Sequence, residues 1–303
     1  MISDQADKLR KMAQGVRQQI EAEMMGISRK TRTVVISSGK GGVGKSTLAL
    51  NLSLSLCSEG QRVILLDADL GLANIDVMLG LSPEYHIQHL VQGRKSLKDI
   101  IITGPLGLKI IPGGSGINEL ANLSDAELNR ILIEVGKVDG DYDYMVIDTG
   151  AGISKNVISF MLAADEVIVI TTPEPTSLTD AYGCVKTIAK QSYAGGVSVV
   201  INQVSDNNEG LMVAEKFRLV CKQFLNVDIK LLGSIPSDSL VGEVVRQQKA
   251  LMQAYPRSTA ARHIQNIARR LVNLGGMASP AESGGSGIKK FFQKITRFMR
   301  DHG

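Results

Sequence analysis

Hydrophobic residues fall into short continuous runs along the chain, separated by longer segments of mixed character. Runs of Val, Ile and Leu without polar alternation are typical of strands that are buried on both faces of a parallel sheet. Because helical segments separate most of the runs, the pattern predicts an α/β fold with a doubly wound, mainly parallel sheet flanked by helices. The predicted strands cover residues 34–37, 62–67, 109–111, 144–148, 166–171, 197–202 and 231–235.

Helical periodicity is clearest between these runs. Ser124 and Glu127 have the spacing of a capping box, which predicts the start of one more helix. A polar segment at residues 3–24 carries a few apolar residues at helical spacing, a pattern that fits either a helix docking on a partner or a solvated tail. The other predicted helices cover residues 45–59, 155–163, 179–191, 209–224 and 260–274.

Composition adds limits to this picture. The chain is 44% hydrophobic and 21% charged, as in ordinary globular proteins, and its net charge of +4 permits an anionic partner without requiring nucleic acid. Three cysteines, Cys57, Cys184 and Cys221, lack C-x-x-C spacing, which favours buried thiols in a reducing cytosol over disulfides or a zinc site. We expect a cytoplasmic protein, since neither a signal peptide nor a membrane-spanning run is visible.

Residues 39–46 read G-K-G-G-V-G-K-S and match the phosphate-binding P-loop, placed between a predicted strand and a predicted helix. Glycines allow backbone N–H groups to surround phosphates, and the following helix directs its positive end at the same anion. We expect Lys45 to reach the β- and γ-phosphates, Ser46 to bind Mg²⁺ and Thr47 to contact the α-phosphate. The predicted nucleotide-binding residues of this segment are Gly39, Lys40, Gly41, Gly42, Val43, Gly44, Lys45, Ser46 and Thr47.

A second lysine, Lys40, stands at the start of the loop, and K-G-G-V-G-K-S-T resembles the deviant P-loop of the MinD/ParA family of ATPases. In that family the corresponding lysine crosses a dimer interface and touches the nucleotide of the partner. The resemblance therefore implies an ATP-dependent homodimer in which Lys40 acts on the neighbouring site.

The segment at residues 65–74, L-L-D-A-D-L-G-L-A-N, is similar to the D-x-D-x-x-x-x-N pattern of the same family. It follows a predicted strand, at the carboxyl edge where ligands bind in open α/β sheets. The resemblance implies that Asp69 orients the attacking water and that Asp67 lies beside the Mg²⁺.

A third segment, M-V-I-D-T-G-A-G at residues 145–152, ends an apolar strand in an acidic residue. The resemblance implies that Asp148 holds Mg²⁺ through water and that Gly152 leaves room near the γ-phosphate. The family usually has proline where Gly150 stands, so we expect a more pliable loop here without loss of activity.

For the nucleotide base, the resemblance points to Asn202, Pro236 and Asp238. The expected cofactors are ATP or ADP with Mg²⁺, and the expected catalytic residues are Lys40, Lys45 and Asp69. No arginine finger is evident from the sequence, so we expect a slow ATPase that is gated by dimerisation.

The C-terminal region differs from the rest. Residues 275–287 have the composition of a flexible linker, and residues 288–303 follow as an amphipathic segment with a basic second face. This pattern predicts a helix that binds anionic lipid at the inner face of the cell membrane. The alternative is a helix docked on its own core, and the long linker argues against fixed docking. The membrane-facing residues would be Ile288, Phe291, Phe292, Ile295, Phe298 and Met299.

At the other end, residues 4–10 read D-Q-A-D-K-L-R and resemble the D-Q-A-x-x-L-R motif of the FlhG (FleN/YlxH) family, MinD-type ATPases that control flagellar number and placement. The resemblance implies that residues 1–26 form a helix that stimulates the GTPase FlhF, that residues 30–274 form the ATPase domain, and that flagellar switch (C-ring) proteins are further partners. The partner-binding residues would be Asp4, Gln5, Ala6, Leu9 and Arg10.

Three other functions use the same fold. MinD-type selection of the division site shares the chemistry and differs in its partner. A DNA-segregating ParA-type protein would display basic residues over its surface, whereas the basic cluster here lies on the tail, so direct nucleic-acid binding is not expected. Iron–sulfur carrier ATPases usually show a paired C-x-x-C, which this chain lacks.

Overall fold

The protein forms one eight-stranded sheet in the order β3-β4-β2-β5-β1-β6-β7-β8. The computed structural model describes residues 30–69, 74–113, 125–191, 193–276 and 287–301. Neighbouring strands are parallel except β3 and β4, which pair antiparallel. The strands are β1 (Arg32–Ser38), β2 (Val63–Ala68), β3 (Ile102–Thr103), β4 (Lys109–Ile111), β5 (Tyr144–Ala151), β6 (Glu166–Thr171), β7 (Gly196–Val204) and β8 (Lys230–Pro236).

Helices cover both faces of the sheet. A single turn of 3₁₀ helix at Pro105–Gly107 precedes β4. The α-helices of the described residues are α1 (Lys45–Ser58), α2 (Ile75–Met78), α3 (Ile87–Val91), α4 (Leu97–Ile100), α5 (Asp125–Gly136), α6 (Lys155–Ala163), α7 (Pro175–Lys190), α8 (Asn207–Leu225), α9 (Ser239–Arg246), α10 (Leu251–Ala254), α11 (Thr259–Gly276) and α12 (Ile288–Asp301).

Two hydrophobic cores lie on opposite faces of the sheet, because successive strand residues point to opposite sides. Val35 of β1 faces the core formed with α3 to α8 and α12. Val34 and Ile36 face the other core, which is formed with α1, α2 and α9 to α11. The predicted doubly wound α/β fold is confirmed, and the continuous apolar runs have the predicted cause.

Most predicted elements are present with shifted ends. Strand β6 and helix α6 coincide with the predicted ranges. Helix α7 begins at Pro175, four residues before the predicted start, because proline suits the first helical position. Helix α11 extends to Gly276, two residues into the predicted linker. The predicted helix at residues 3–24, the capping residue Ser124 and residues 277–286 lie outside the described residues.

The C-terminal helix α12 is docked on helices α5 and α6, so the expectation that the linker prevents docking is wrong. Its apolar side chains pack on α5 and α6, and Phe291 lies with its ring centroid 6.1 Å from that of Phe160. A helix of this length is marginal in water by itself, and tertiary contact supplies the missing stability. The buried residues are Ile288, Phe291, Phe292, Ile295 and Met299, and Phe298 is half-buried.

The start of α12 is held by an acidic residue from another part of the chain. Asp139 accepts the backbone N–H of Ile288 at 2.9 Å and that of Lys289 at 3.4 Å, so it acts as a helix cap. Gly287 has φ of +85°, and a Cβ there would lie 2.6 Å from the Asp139 carboxylate. Farther along, Lys294 donates to the carbonyl oxygen of Ala163, at the end of α6, at 3.2 Å.

Substitution of the cap should loosen α12 without unfolding the sheet. We expect Asp139→Ala to speed amide hydrogen exchange in α12 by about two- to thirty-fold, because a helix cap contributes ~0.5–2 kcal/mol. Exchange measured by mass spectrometry checks this, with the nearby exposed Asp141→Ala as the matched control. Equal exchange in both variants would show that Asp139 does not hold the helix.

Candidate nucleotide-binding site

The loop at residues 39–44 joins β1 to α1 at the carboxyl edge of the sheet. Its backbone has φ of +79° at Gly42 and +91° at Gly44, a region that favours glycine. Asn202, from the end of β7, donates its side-chain N–H to the Val43 carbonyl oxygen at 2.8 Å. A Cβ on Gly44 would lie 2.4 Å from the same Asn202 nitrogen, so both close approach and conformation require glycine.

Lys45 opens α1 and is buried, and two carboxylates surround its charge. Its Nζ lies 2.8 Å from Oδ1 of Asp148 and 4.0 Å from Oδ2 of Asp69. Burial raises the pKa of Asp148, while Lys45 and the Ser46 hydroxyl oppose that rise. The predicted phosphate lysine thus lies beside two of the three predicted acidic residues, Asp69 and Asp148.

The residues near Asp148 fit a divalent cation. Asp148 Oδ2 is buried and has no hydrogen-bond partner among the described residues, which is costly for a carboxylate oxygen unless a cation is bound. Ser46 stands next to Lys45 at the start of α1, and hydroxyl and carboxylate oxygens are the ligands that Mg²⁺ prefers. The chemistry of Asp148 and Ser46 therefore fits the predicted Mg²⁺ site, and coordination by these two residues stays a prediction.

Asp67 has a different environment. It pairs in register with Asp148 across β2 and β5, but its Oδ2 accepts the N–H groups of Asn74 and Ile75 at 2.9 and 3.1 Å. Its Oδ1 accepts the N–H of Asp69 at 3.2 Å. Burial, the largest effect, raises the pKa of Asp67 to about 6. Asp67 thus anchors both ends of the segment after β2, and its contact with the metal stays a prediction.

The loop after β5 is tied to β1. Gly152 has φ of +89°, and its N–H donates to the Ser38 carbonyl oxygen at 2.7 Å. A Cβ on Gly150 would lie 3.5 Å from Oδ1 of Asp69, an ordinary contact distance. Gly150 lies within strand β5, where a side chain would fit, and greater pliability of this segment stays a prediction.

The side chain of Lys40 is directed at α7. Its Nζ lies 2.8 Å from Oε2 of Glu174 and 3.2 Å from the Thr176 hydroxyl oxygen, both at the start of α7. Gly39 packs directly on the same helix, since a Cβ there would lie 2.2 Å from the carbonyl carbon of Asp180. Sequence reasoning missed these α7 residues, because they lie far along the chain from the loop and belong to no recognised motif.

A cavity of about 550 Å³ lies beside the loop, and its walls include Thr47, Asn202 and Pro236. Asp238 also borders it, but its two oxygens accept the N–H groups of Leu240 and Ala260 at 3.0 and 3.1 Å. Asp238 thus caps α9 and joins it to α11. Direct recognition of the base by the Asp238 carboxylate stays a prediction.

Gln203 also borders this cavity and was not predicted from the sequence. It has φ of +58°, which costs free energy in a residue other than glycine. The register of β7 with β8 shifts between Asn202 and Val204, so the strained residue sits where the strand pairing breaks. No local sequence signal marks this position.

Comparison with known proteins agrees with this geometry. The ParA family model, described as NUBPL iron-transfer P-loop NTPase, matches residues 29–272. The chain is 36% identical to the antiactivator FleN of Pseudomonas aeruginosa over 85% of this chain and 92% of that protein. It is also 36% identical to the flagellum site-determining protein YlxH of Helicobacter pylori, over 89% of this chain and 91% of that protein.

The chain belongs to the MinD/ParA family of P-loop ATPases, in its FleN/YlxH (FlhG) branch. Among solved structures, MinD of Pyrococcus horikoshii, determined with Mg-ADP, superposes with a TM-score of 0.67 at 26% identity over 82% of this chain and 98% of that one. Membership of the family implies ATPase activity, and the placement of Lys45, Asp69 and Asp148 agrees with it.

Iron transfer, named in the description of the family model, has no cysteine cluster to support it in this chain. Cys184 and Cys221 are buried and Cys57 is partly buried, all as free thiols. Burial raises the pKa of Cys57 to about 11 and those of Cys184 and Cys221 to about 12. Burial thus favours the neutral thiol in all three side chains.

The sequence also predicts binding residues at each end of the chain. The predicted partner-binding residues, Asp4, Gln5, Ala6, Leu9 and Arg10, lie outside the described residues. The predicted membrane face of α12 is described, and it is buried on α5 and α6. None of the described helices combines the length and apolar character needed to cross a bilayer.

The need for glycine at position 44 can be tested by the effect of a substitution on the free energy of unfolding. We expect Gly44→Ala to lower the free energy of unfolding by about 1–3 kcal/mol, because alanine is strained at this φ and its Cβ meets Asn202. Gly41→Ala is the matched control, since a Cβ there has no atom within 4 Å. Urea unfolding without nucleotide checks both variants; equal stability would contradict the assigned close approach.

Proposed function

We propose that this chain is an ATP-dependent, dimerising switch that regulates the number and placement of flagella. The observation that carries this proposal is the 36% identity to FleN and to YlxH over most of each chain. The D-Q-A-D-K-L-R segment at residues 4–10 supports the same branch of the family. In this reading the chain is an enzyme whose output is a change of partners.

The chemistry is ATP hydrolysis by positioned charges. Lys45 and the backbone N–H groups of the loop hold the phosphates, while Ser46 and Asp148 hold Mg²⁺. Bound Mg²⁺ would supply charge neutralisation at the phosphates. Asp69, whose carboxylate lies 4.0 Å from Lys45 Nζ, orients the attacking water. None of the proposed catalytic residues is a stronger base than the Asp69 carboxylate, so turnover is slow.

Dimerisation is supported by the position of Lys40. Its side chain is 41% exposed at the rim of the loop and contacts α7, whereas Lys45 already occupies the phosphate side. A lysine at the rim can reach the nucleotide of a facing subunit once it leaves its contacts on α7. ATP then favours the dimer, because each ATP molecule gains contacts from both subunits. Hydrolysis to ADP lets the subunits separate.

Membrane association requires α12 to change its contacts. The apolar face that would enter lipid is buried on α5 and α6 in this structure, so docking and lipid binding compete. The basic side of α12 remains at the surface and can attract anionic lipid at ~1 kcal/mol per residue. A dimer pairs two such helices and raises avidity. The basic residues are Lys289, Lys290, Lys294, Arg297 and Arg300.

The proposed partners are the GTPase FlhF, bound and stimulated by residues 1–26, and the flagellar switch (C-ring) proteins. The proposed location is the cytoplasmic face of the membrane. Division-site selection of the MinD type remains the second candidate, since MinD of Pyrococcus horikoshii has a similar fold. The test against FlhF separates the two candidates.

A variant that binds ATP but does not hydrolyse it should accumulate on membranes. We expect Asp69→Ala with ATP to form a dimer by sedimentation velocity and to pellet with vesicles that contain phosphatidylglycerol, whereas ADP leaves it monomeric and unbound. Rapid turnover, or a monomer with ATP, would contradict the role of Asp69.

The same assay tests α12. Reversing two exposed charges, Lys289→Glu with Lys290→Glu, should weaken vesicle binding about thirty-fold or more, because each lysine contributes ~1 kcal/mol. Lys216→Glu with Lys222→Glu on α8 is the matched control, as both lysines are exposed there. Equal loss in both pairs would mean that α12 is not the anchor.

The FlhF partnership has its own measurement. A peptide of residues 1–24 should raise GTP hydrolysis by FlhF, and Gln5→Ala should weaken that effect, because Gln5 lies within the matched motif. A scrambled peptide of the same composition is the control. Failure of the wild-type peptide to stimulate FlhF would favour the MinD-type function.

A further inference from the structure

The start of α7 carries an acidic side chain that its own helix does not use. Glu174 occupies the N-cap position, yet its carboxylate makes no capping hydrogen bond. Pro175 follows and has no N–H to satisfy, and Ser177 accepts the N–H of Thr172 through its hydroxyl oxygen. The Glu174 carboxylate is thus available to a partner outside the helix.

That partner is Lys40, which lies 134 residues earlier in the chain. The ion pair is 2.8 Å long, and the Thr176 hydroxyl adds a second acceptor at 3.2 Å. Together the two groups take two of the three donors of the ammonium. No other ion pair of Glu174 is found in the described part of the chain.

The loop and α7 are also in direct backbone contact at this point. Gly39, next to Lys40, approaches the backbone of Asp180 so closely that no side chain fits between them. The Ser38 hydroxyl donates to the carbonyl oxygen of Lys40 at 3.0 Å, which fixes the backbone of the lysine. Only the side chain of Lys40 is therefore free to change partner.

We propose that Glu174 is a positioning residue that holds Lys40 within its own subunit and thereby opposes dimerisation until ATP is bound. This inference rests on the proposed two-subunit site, in which Lys40 must leave Glu174 to reach the facing nucleotide. Each dimer breaks two such pairs. Glu174 contacts Lys40, so it acts through the lysine.

The size of the effect follows from the exposure of the pair. Lys40 is 41% and Glu174 65% exposed, and ion pairs of this kind are weak and screened by salt. Loss of both pairs should tighten the ATP-dependent dimer by about two- to thirty-fold. The Lys40–Glu174 pair is therefore weak enough for ATP binding to break. It is also strong enough to shift the protein concentration at which dimers form.

The experiment compares full-length wild type with Glu174→Gln by sedimentation velocity over a range of protein concentrations, with a non-hydrolysable ATP analogue. We expect Glu174→Gln to lower the dimer dissociation constant by the stated factor, with unchanged nucleotide affinity of the monomer. The difference from wild type should shrink between 50 and 500 mM salt. The matched control is Glu215→Gln, which removes the charge of a partly exposed glutamate paired with Arg218 on α8 and should change nothing.

Lys40→Ala separates the two hypotheses. If Lys40→Ala still dimerises with the analogue as wild type does, the proposed two-subunit site is wrong, and the proposed role of Glu174 is wrong with it. If Lys40→Ala loses the dimer but Glu174→Gln matches wild type or weakens dimerisation, only the proposed role of Glu174 is wrong. A weaker dimer in Glu174→Gln would show that Glu174 acts within the dimer instead.

Discussion

The contact between Lys45 and Asp148 is the interaction on which the nucleotide site depends. A buried ammonium and a fully buried carboxylate are tolerated only as a pair, and breaking such a pair typically costs several kcal/mol. Parallel pairing of β1 and β2 with β5 brings the groups together, because all three strands end at the same edge. The loop glycines, the anchoring role of Asp67 and the support from Asn202 all keep this edge in one geometry.

Much of this arrangement could be predicted from the sequence, for a physical reason. Strands buried on both faces leave continuous apolar runs, and a backbone that wraps phosphates leaves glycines at fixed spacing. Asp148 ends such a run, so its place beside the loop followed from the parallel topology. The D-x-D pattern located Asp67 correctly but not its bonding, because hydrogen bonds from Asn74 and Ile75 depend on how the chain turns after β2.

Other features depend on contacts that no local pattern encodes. Lys40 and Glu174 meet only because β1 and β6 are adjacent in the sheet and the loop packs on α7. Docking of α12 depends on how its rings fit Phe160 and on the distant cap Asp139, whereas an amphipathic stripe looks the same whether it faces protein or lipid. Composition of the linker could not decide between these outcomes, since it sets reach and not affinity.

Docking of α12 also links solubility to folding. While α12 is docked, its phenylalanine rings are part of the hydrophobic core beside α6. Helix α6 begins three residues after Gly152, which lies in the loop that follows β5. Any process that lifts α12 from this surface uncovers a matching apolar groove as well as the helix itself. Two apolar surfaces are then exposed to water at once, so a chain with α12 undocked and no lipid bound is the form most prone to aggregate. Under the proposed membrane association, lipid takes the place of this apolar surface as the environment of α12, and the helix avoids water in both states.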